Sequence, residues 1–377
     1  MTGKPDVRVL SVIGNLMLGG TESYVARMAR EIKKYGVDME ICALELEGPL
    51  LRSLEESGIR VHGTPYASRI QQSNTLTLAR TVNAIRRIVA EGRFDIVHTY
   101  LFWSDVLGVS GARLAGCHRV IESRRSLHDW THSPSAFFHG LEQITNLFAH
   151  ELIANSRVAL LDAEAHERWL PRIRTVLYNG VDVEDYQPAQ IRVDGPLRIV
   201  TVGALAPRKG QEYAIEALAL LIASGVDATL ELIGSGPDDA MLRRKASDAG
   251  VADRVTFAGE QLDPRPHLTG ADLFLLPSRQ EGFSNALLEA MASALPVVAT
   301  DVGGNAEAIA DGVGGRIVPP QQPEAMAAAI TELATDRRQL VEMGRANRRR
   351  VAELYTLEAS ARNLADWYIN GRRTPDG

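Results

Sequence analysis

The chain has 377 residues, of which 45% are apolar and 23% charged, with a net charge of −6 and a pI near 5.9. This composition is globular, and the length exceeds what a single hydrophobic core usually serves, so two domains are expected. The acidic balance argues against a general nucleic-acid binder, which carries a basic field, though it leaves room for a local basic patch.

Only Cys42 and Cys117 are present, without metal-site or redox spacing, so no disulfide framework is expected and a reducing cytoplasm fits. The first residues lack the features of a signal peptide, and no apolar run reaches the ~18 residues that would span a bilayer. Any contact with a membrane, such as the inner face, is therefore expected to be peripheral.

Val7–Ile13 reads as a buried parallel strand, followed by the glycine-rich turn GNLMLGGTES and an amphipathic helix over residues 24–35. The turn nearly has the spacing of a phosphate-cradling loop, but Gly20 stands where that motif needs lysine, which argues against nucleotide hydrolysis. Gly19 and Gly20 let backbone approach a bulky ligand, and the helix start behind them favours an anion. The competing reading is a tight turn that needs glycine for its dihedrals alone.

Strands are expected over residues 39–44, 59–62 and 94–99, with Leu78, Val82, Ile85 and Val89 marking a helical face between them. Strands alternating with helices predict crossover units and a parallel sheet. His98 closes one of these strands, where a ligand contact and a hydrogen-bonded packing residue are equally expected. After a strand beginning at 118–121, the stretch SRRSLHDWTHSP gathers Arg124, Arg125, His128, Trp130 and His132. It reads either as a cleft-edge loop that handles an acceptor or an anion, or as solvated basic surface. The spacing of His128 and His132 could grip a metal on a helix, but further ligands are missing nearby.

A helix over 137–147 and strands over 150–155 and 173–178 complete the first domain, residues 1–180. The Pro-, Gly- and acid-rich residues 181–195 read as a linker. The architecture then restarts over residues 196–355, with strands at 197–202, 228–233, 254–258, 273–276, 296–300 and 316–318. A helix after Gly210 has the core stripe Ala214, Ile215, Leu218 and Leu221, and further helices cover 323–333 and 337–354. The last segment, 356–377, opens on Thr356 as a helix cap; its apolar stripe Leu357, Ala361, Leu364 and Tyr368 is expected to pack back on the first domain.

The most informative stretch is SRQEGFSNALLEAMASALPVVATDVGGNAE, residues 278–307, between two apolar strands. It places Glu281 on a loop at the carboxyl end of a strand and Glu289 on the helix that follows, where open parallel sheets bind ligands. A carboxylate accepts two hydrogen bonds at once, so the pair can clasp a polar ligand through its hydroxyls. Two acids on a solvated helix face are the plainer reading, and the apolar flanks argue against it.

The Glu281/Glu289 pair, the RKG loop at 208–210, the GSGP turn at 234–237, the NGVD junction at 179–182 and the GGTE turn at 19–22 together resemble a retaining glycosyltransferase of family 4, of the bacterial polysaccharide and glycolipid type. The resemblance covers nearly the whole chain and implies the GT-B fold, two doubly wound Rossmann-like α/β domains facing a cleft. It implies that Glu281 orients the transferred sugar, that Glu289 holds the nucleotide ribose, and that Arg208 and Lys209 bind the diphosphate. The implied donor-binding set adds Gly19, Gly20, Gly234, Gly282, Phe283, Ser284 and Asn285. Many members carry an arginine where Ala204 stands, so Arg208 is expected to serve in its place, or Arg124 or Arg125 to reach across. Arg124 and His128 are the candidates for the position where many members place a histidine near the reacting carbon.

The implied reaction transfers a sugar, with retention and without a metal, from a nucleotide-diphosphate sugar to a glycan, lipid-linked or small-molecule hydroxyl, with no separate cofactor and no nucleic-acid partner. The absence of a D-x-D triplet agrees with this. Two other readings stay open: a non-catalytic sugar-nucleotide-binding subunit, and a GT-B sugar-nucleotide epimerase. A dinucleotide-dependent dehydrogenase is set aside because Gly234-Ser235-Gly236 lacks the third glycine.

Overall fold

The structure, a computed structural model, describes residues 7–66, 75–127 and 136–371. The chain divides into two compact units, residues 1–179 with 357–377, and residues 180–356.

In the first unit strands and helices alternate as β1 (Val7–Ile13), α1 (Gly20–Glu31), β2 (Val37–Ala43), α2 (Leu50–Glu56), β3 (Val61–Gly63), α3 (Thr75–Gly92), β4 (Ile96–Tyr100), α4 (Phe102–Leu114), β5 (Val120–Arg124), α5 (Ala136–Phe148), β6 (Glu151–Ala154), α6 (Arg157–His166) and β7 (Ile173–Val176). The strands pair in parallel in the order β3-β2-β1-β4-β5-β6-β7. Because side chains alternate across a strand, the inner strands feed two cores. Val9, Ile13, Ile41, Ile96 and Ile121 face one side with α1, while Leu10, Val12, Val97 and Val120 face the other with α4. Helix α4 is buried on several sides, including Gly108 and Gly111, where an added Cβ would lie 2.7 Å from Thr99 and from Ile85. A helix that is apolar nearly all round shows no single stripe, and the sequence does not reveal it.

The second unit repeats the scheme with β8 (Leu197–Val202), α7 (Gln211–Ala223), β9 (Ala228–Ile233), α8 (Asp239–Asp248), β10 (Val255–Gly259), α9 (Arg265–Gly270), β11 (Leu273–Leu276), α10 (Asn285–Ala292), β12 (Val297–Thr300), α11 (Asn305–Ala308), β13 (Gly315–Val318), α12 (Pro323–Ala334) and α13 (Arg337–Leu354). Its parallel sheet runs β10-β9-β8-β11-β12-β13. Leu197, Ile199, Leu230 and Leu273 pack with Ile215, Leu218 and Leu221 of α7 and with Met326 and Ile330 of α12. Residues 180–196 belong to this unit, where the Ala189 N–H donates to the Ser293 carbonyl (2.7 Å) and the Gln190 N–H to the Thr269 carbonyl (3.0 Å).

The last helix, α14 (Leu357–Asn370), belongs to the first unit. Trp367 and Tyr368 are buried, and burying side chains of this kind contributes about 1.5–3 kcal/mol each. Their polar ends are also satisfied, since Trp367 Nε1 donates to Glu151 (2.6 Å) and the Tyr368 hydroxyl bonds His98 Nδ1 (2.5 Å).

Candidate active site

Strand order decides which loops meet. In the second unit β8 and β11 are neighbours, with Leu273 opposite Ile199, although α7, β9, α8, β10 and α9 separate them in the chain. Here the order reverses, and such a switch point leaves a crevice beyond the carboxyl ends of the two strands. The loop after β8, residues 203–210, therefore meets the loop after β11, residues 277–284. The Arg279 and Gln280 N–H groups donate to the Arg208 carbonyl (2.9 and 3.2 Å). Gly210 sits at φ +64°, and a Cβ there would lie 2.3 Å from the Pro277 carbonyl oxygen, so the approach requires glycine.

This approach brings two expected site residues together. Lys209 Nζ donates to Glu281 Oε1 at 2.6 Å, and Ser278 Oγ donates to the same oxygen at 2.7 Å. Glu281 is 7% exposed. Behind it lies a polar chain with every member buried: Thr300 Oγ1 donates to the Ser278 carbonyl (2.6 Å), and Asn305 Nδ2 donates to the Thr300 carbonyl (3.0 Å). The sequence reading missed Ser278, Thr300 and Asn305, although a hydroxyl directly after the apolar run LFLLP was a signal for the first. Arg208 holds the partner loop through its carbonyl while its side chain is exposed, as is Ala204.

Gly282, Phe283 and Ser284 lead into α10. The Gly304 N–H donates to the Gly282 carbonyl (2.7 Å), and Gly303, at φ +53°, would place a Cβ 2.1 Å from the Glu281 carbonyl oxygen. Phe283 packs against Tyr355 with ring centroids 5.2 Å apart. Ser284 spends its hydroxyl as the N-cap of α10, accepting from the Leu287 N–H (3.3 Å). Leu287, Leu288, Ala290 and Met291 are buried, whereas Asn285 and Glu289 are half-buried and share a face at i, i+4 spacing. Gly234 fits tightly against the first loop: at φ +144°, a Cβ there would lie 2.0 Å from the Gly203 carbonyl oxygen.

In the first unit Gly19 caps α1 without a side-chain bond, and Gly20 is its first residue. A Cβ on Gly19 would lie 2.0 Å from Glu22 Oε2, so this carboxylate folds over the helix start and supplies negative charge where the helix dipole favours it. His98 is buried, with Nε2 bonded to Ser123 Oγ (2.7 Å) and Nδ1 to Tyr368. Burial and the charges of Arg125 and Arg119 hold its pKa well below the usual histidine range, so it is a neutral packing residue.

Arg124 calls for a correction. It is the last residue of β5, not part of the loop, and its side chain is only 7% exposed. Its guanidinium binds Glu167 through Nε (2.8 Å) and Nη2 (2.7 Å), Asp105 at 3.3 Å and Asn146 at 2.7 Å. Burial opposes its charge, and the surrounding carboxylates more than restore it. A guanidinium so engaged is unavailable to a diphosphate or a reacting carbon. Arg125 is half-buried, with its guanidinium over the Tyr24 ring (4.0 Å) and bonded to Asn179 Oδ1 (2.7 Å). His128, Trp130 and His132 lie outside the described residues.

Among the described residues no group of His, Cys, Asp and Glu is arranged to hold a metal ion, and no helix is long and apolar enough to cross a membrane.

Comparison with known proteins agrees with this architecture. Residues 19–180 match the model of the glycosyl transferase 4-like domain, and residues 196–336 that of glycosyl transferases group 1. The chain is 30% identical over 399 residues to a D-inositol 3-phosphate glycosyltransferase of Jonesia denitrificans, covering 94% of this chain and 92% of the relative. It is 28% identical over 376 residues to a GDP-mannose-dependent alpha-(1-6)-phosphatidylinositol monomannoside mannosyltransferase of Mycobacterium tuberculosis, covering 93% and 94%. Among solved structures, Anabaena HepE in complex with UDP-glucose superposes with a TM-score of 0.81 at 22% identity, covering 97% of this chain and 100% of the other. A sucrose-phosphate synthase from Thermosynechococcus elongatus gives 0.81 at 21% identity, covering 97% and 98%.

Proposed function

Because the chain belongs to the family 4 glycosyltransferases with the GT-B fold, we propose that its second unit binds a nucleotide-diphosphate sugar and transfers the sugar, with retention, to a hydroxyl acceptor. The observation that carries this reading is the meeting of Lys209 and Glu281 at the β8/β11 switch point, with Glu289 on the helix that follows. Lys209 supplies a cation for the departing diphosphate, where fixed positive charge lowers the barrier most. Arg208, exposed beside it, is a second cation on the same turn. Glu281 accepts from the sugar hydroxyls and Glu289 from the ribose, each carboxylate matching a vicinal pair. The N–H groups of residues 282–285 favour negative charge at the start of α10. In a retaining transfer the acceptor attacks on the face from which the diphosphate leaves, and that phosphate takes the acceptor proton.

The relatives named above act on acceptors whose names contain a phosphorylated inositol, so inositol phosphates and phosphoinositides head the acceptor panel. Glycans and small glycosides complete it. For lipid-linked acceptors we propose peripheral contact with the cytoplasmic face of a membrane, supported by the exposed Ile144, Leu147 and Phe148 on α5 and the exposed Trp169. Sedimentation with phosphatidylglycerol vesicles measures it; protein left entirely in the supernatant would refute it.

The test of the donor reading is a panel of UDP-, GDP- and ADP-sugars scored for thermal stabilisation and slow hydrolysis. One nucleotide sugar should stabilise the fold and be cleaved, with activity that survives EDTA. Glu289→Ala should weaken nucleotide binding and Glu281→Ala mainly reduce turnover. A panel without stabilisation or cleavage would refute the reading, and equal, negligible effects of both substitutions would refute the division of roles.

A further inference from the structure

Among the described residues Lys209 and Glu281 form a one-to-one ion pair at 2.6 Å, with side-chain exposures of 15% and 7%. Within hydrogen-bond distance the two charges cancel, so a diphosphate arriving beside Lys209 meets an adjacent carboxylate as well as the cation. The two partners differ in freedom. Glu281 is fixed on three sides: by the Ser278 hydroxyl on Oε1 (2.7 Å), by Gly303 packed under its carbonyl, and by the Gly304 N–H on the next carbonyl (2.7 Å). Lys209 sits on the short turn Pro207–Lys209 and carries its charge on a flexible four-carbon stem. The lysine is therefore the member that can turn away. Both bonds to Glu281 fall on Oε1, so its other oxygen can accept from a sugar hydroxyl without either being given up.

Resting on the donor reading above, we propose that Glu281 is a specificity gate as well as a sugar contact: it holds Lys209 away from a free diphosphate and releases it to a diphosphate that carries a sugar. A nucleoside diphosphate alone must compete with Glu281 for the lysine and bear the repulsion of the carboxylate. A sugar nucleotide offers hydroxyls to that carboxylate, which offsets its negative charge as the ammonium turns to the phosphates. After transfer the hydroxyls leave with the product, the pair closes, and the nucleoside diphosphate is expelled. Discrimination of this kind rests on a repulsive element as much as on an attractive one.

The experiment is calorimetric titration of wild type, Glu281→Gln and Lys209→Met with UDP and GDP, and with the sugar nucleotide that wild type prefers. Glu281→Gln keeps the shape and an acceptor for Ser278 while removing the charge. It should bind the free diphosphate about tenfold more tightly or better, the scale of one charge lost a few ångströms away. The preference for sugar nucleotide over free diphosphate should collapse, and Lys209→Met should weaken both ligands. Glu281→Ala removes the same charge without asking an amide to fit and should show the same direction. Free diphosphate bound equally or more weakly by both Glu281 variants would overturn the gate while leaving the donor reading standing. A wild type that binds neither diphosphate nor any sugar nucleotide would overturn the donor reading and the gate with it.

Discussion

In the first unit Arg124 ends β5 facing Glu167, Asp105 and Glu122, at 2.7, 3.3 and 3.6 Å; in the second, Lys209 follows β8 and faces Glu281 at 2.6 Å. Both sites put a cation against carboxylate near the carboxyl end of a parallel strand, the general address of ligand sites in such folds. They differ in stoichiometry. Around Arg124 acid exceeds base: Glu122 is fully buried, and among the described residues neither of its oxygens has a hydrogen-bond partner. Burial, the largest cause, pushes its pKa up to about 7 even with Arg124 beside it. Burial raises Asp105 and Glu142 as well. A cation with more carboxylates than it can neutralise has no charge to offer a ligand, whereas one matched by a single carboxylate can exchange partners. A basic residue at a strand end is therefore a ligand candidate only when its acids have been counted.

The sharpest way to break this contrast is Arg124→Met. With the guanidinium gone, buried carboxylates lie against one another, and the cost should be about 3–5 kcal/mol by chemical denaturation. Lys209→Met should cost less, about 1–3 kcal/mol, since its carboxylate retains Ser278. Equal losses in the two variants would erase the distinction between a structural and an exchangeable pair.

Glu122→Gln comes next, and its effect depends on pH. A carboxyl raised from 4.5 to about 7 binds more protons folded than unfolded across that interval, so its contribution to stability is retained below pH 4.5 and lost as the pH rises through 7. The loss is about 3–4 kcal/mol at most, at about 1.4 kcal/mol per unit. Glu122→Gln should therefore gain on wild type between pH 5 and pH 8, a difference that also removes the parallel titration of Asp105 and Glu142. A wild-type minus variant stability that stays flat with pH would mean that Glu122 is ionised throughout.

The contrast also explains which parts of the molecule were legible in the sequence. Apolar runs such as VRVLSVI and LRIVTV announce buried parallel strands, and Glu281 and Glu289 stand out between two of them because acids rarely interrupt such a stretch. The position of Arg124 was not legible, because its role depends on Glu167 and Asp105, 43 and 19 residues away, which meet it only when the sheet forms. His98 was undecided for the same reason, as its partner Tyr368 lies 270 residues later. Lys209 and Glu281 are 72 residues apart, and motif resemblance named both without giving their contact. The contact is a product of strand order, which pattern alone leaves open. Ser278 was passed over because a serine after a strand is common in turns.

Gly303→Ala probes the exchangeable site through its backbone. The left-handed conformation costs an alanine about 1–2 kcal/mol, and its Cβ would meet the Glu281 carbonyl oxygen, so the acid itself must shift. Turnover should fall more than stability, about tenfold or beyond, whereas Gly116→Ala at φ +79°, with nothing within 4 Å of its Cβ, should incur only the backbone cost. If the two alanine variants turn over alike, the loop carrying Glu281 is not held from behind by Gly303.

The smallest effect is expected from Ser278→Ala. Its hydroxyl gives Glu281 one of two bonds on Oε1, and Lys209 keeps the other, so the loss of stability should be about 0.5–1.5 kcal/mol. The functional signature should be more specific. Without the serine the carboxylate can follow the lysine, and an acid that moves with its cation neither orients a sugar nor separates from the ammonium when a diphosphate arrives. Turnover on the preferred donor should fall severalfold with little change in KM, and Ser278→Thr, which restores a hydroxyl at the same position, should recover part of it. An alanine variant with wild-type turnover would show that Glu281 is held by Gly303 and Lys209 alone, and that the buried chain through Thr300 and Asn305 serves packing instead of the site.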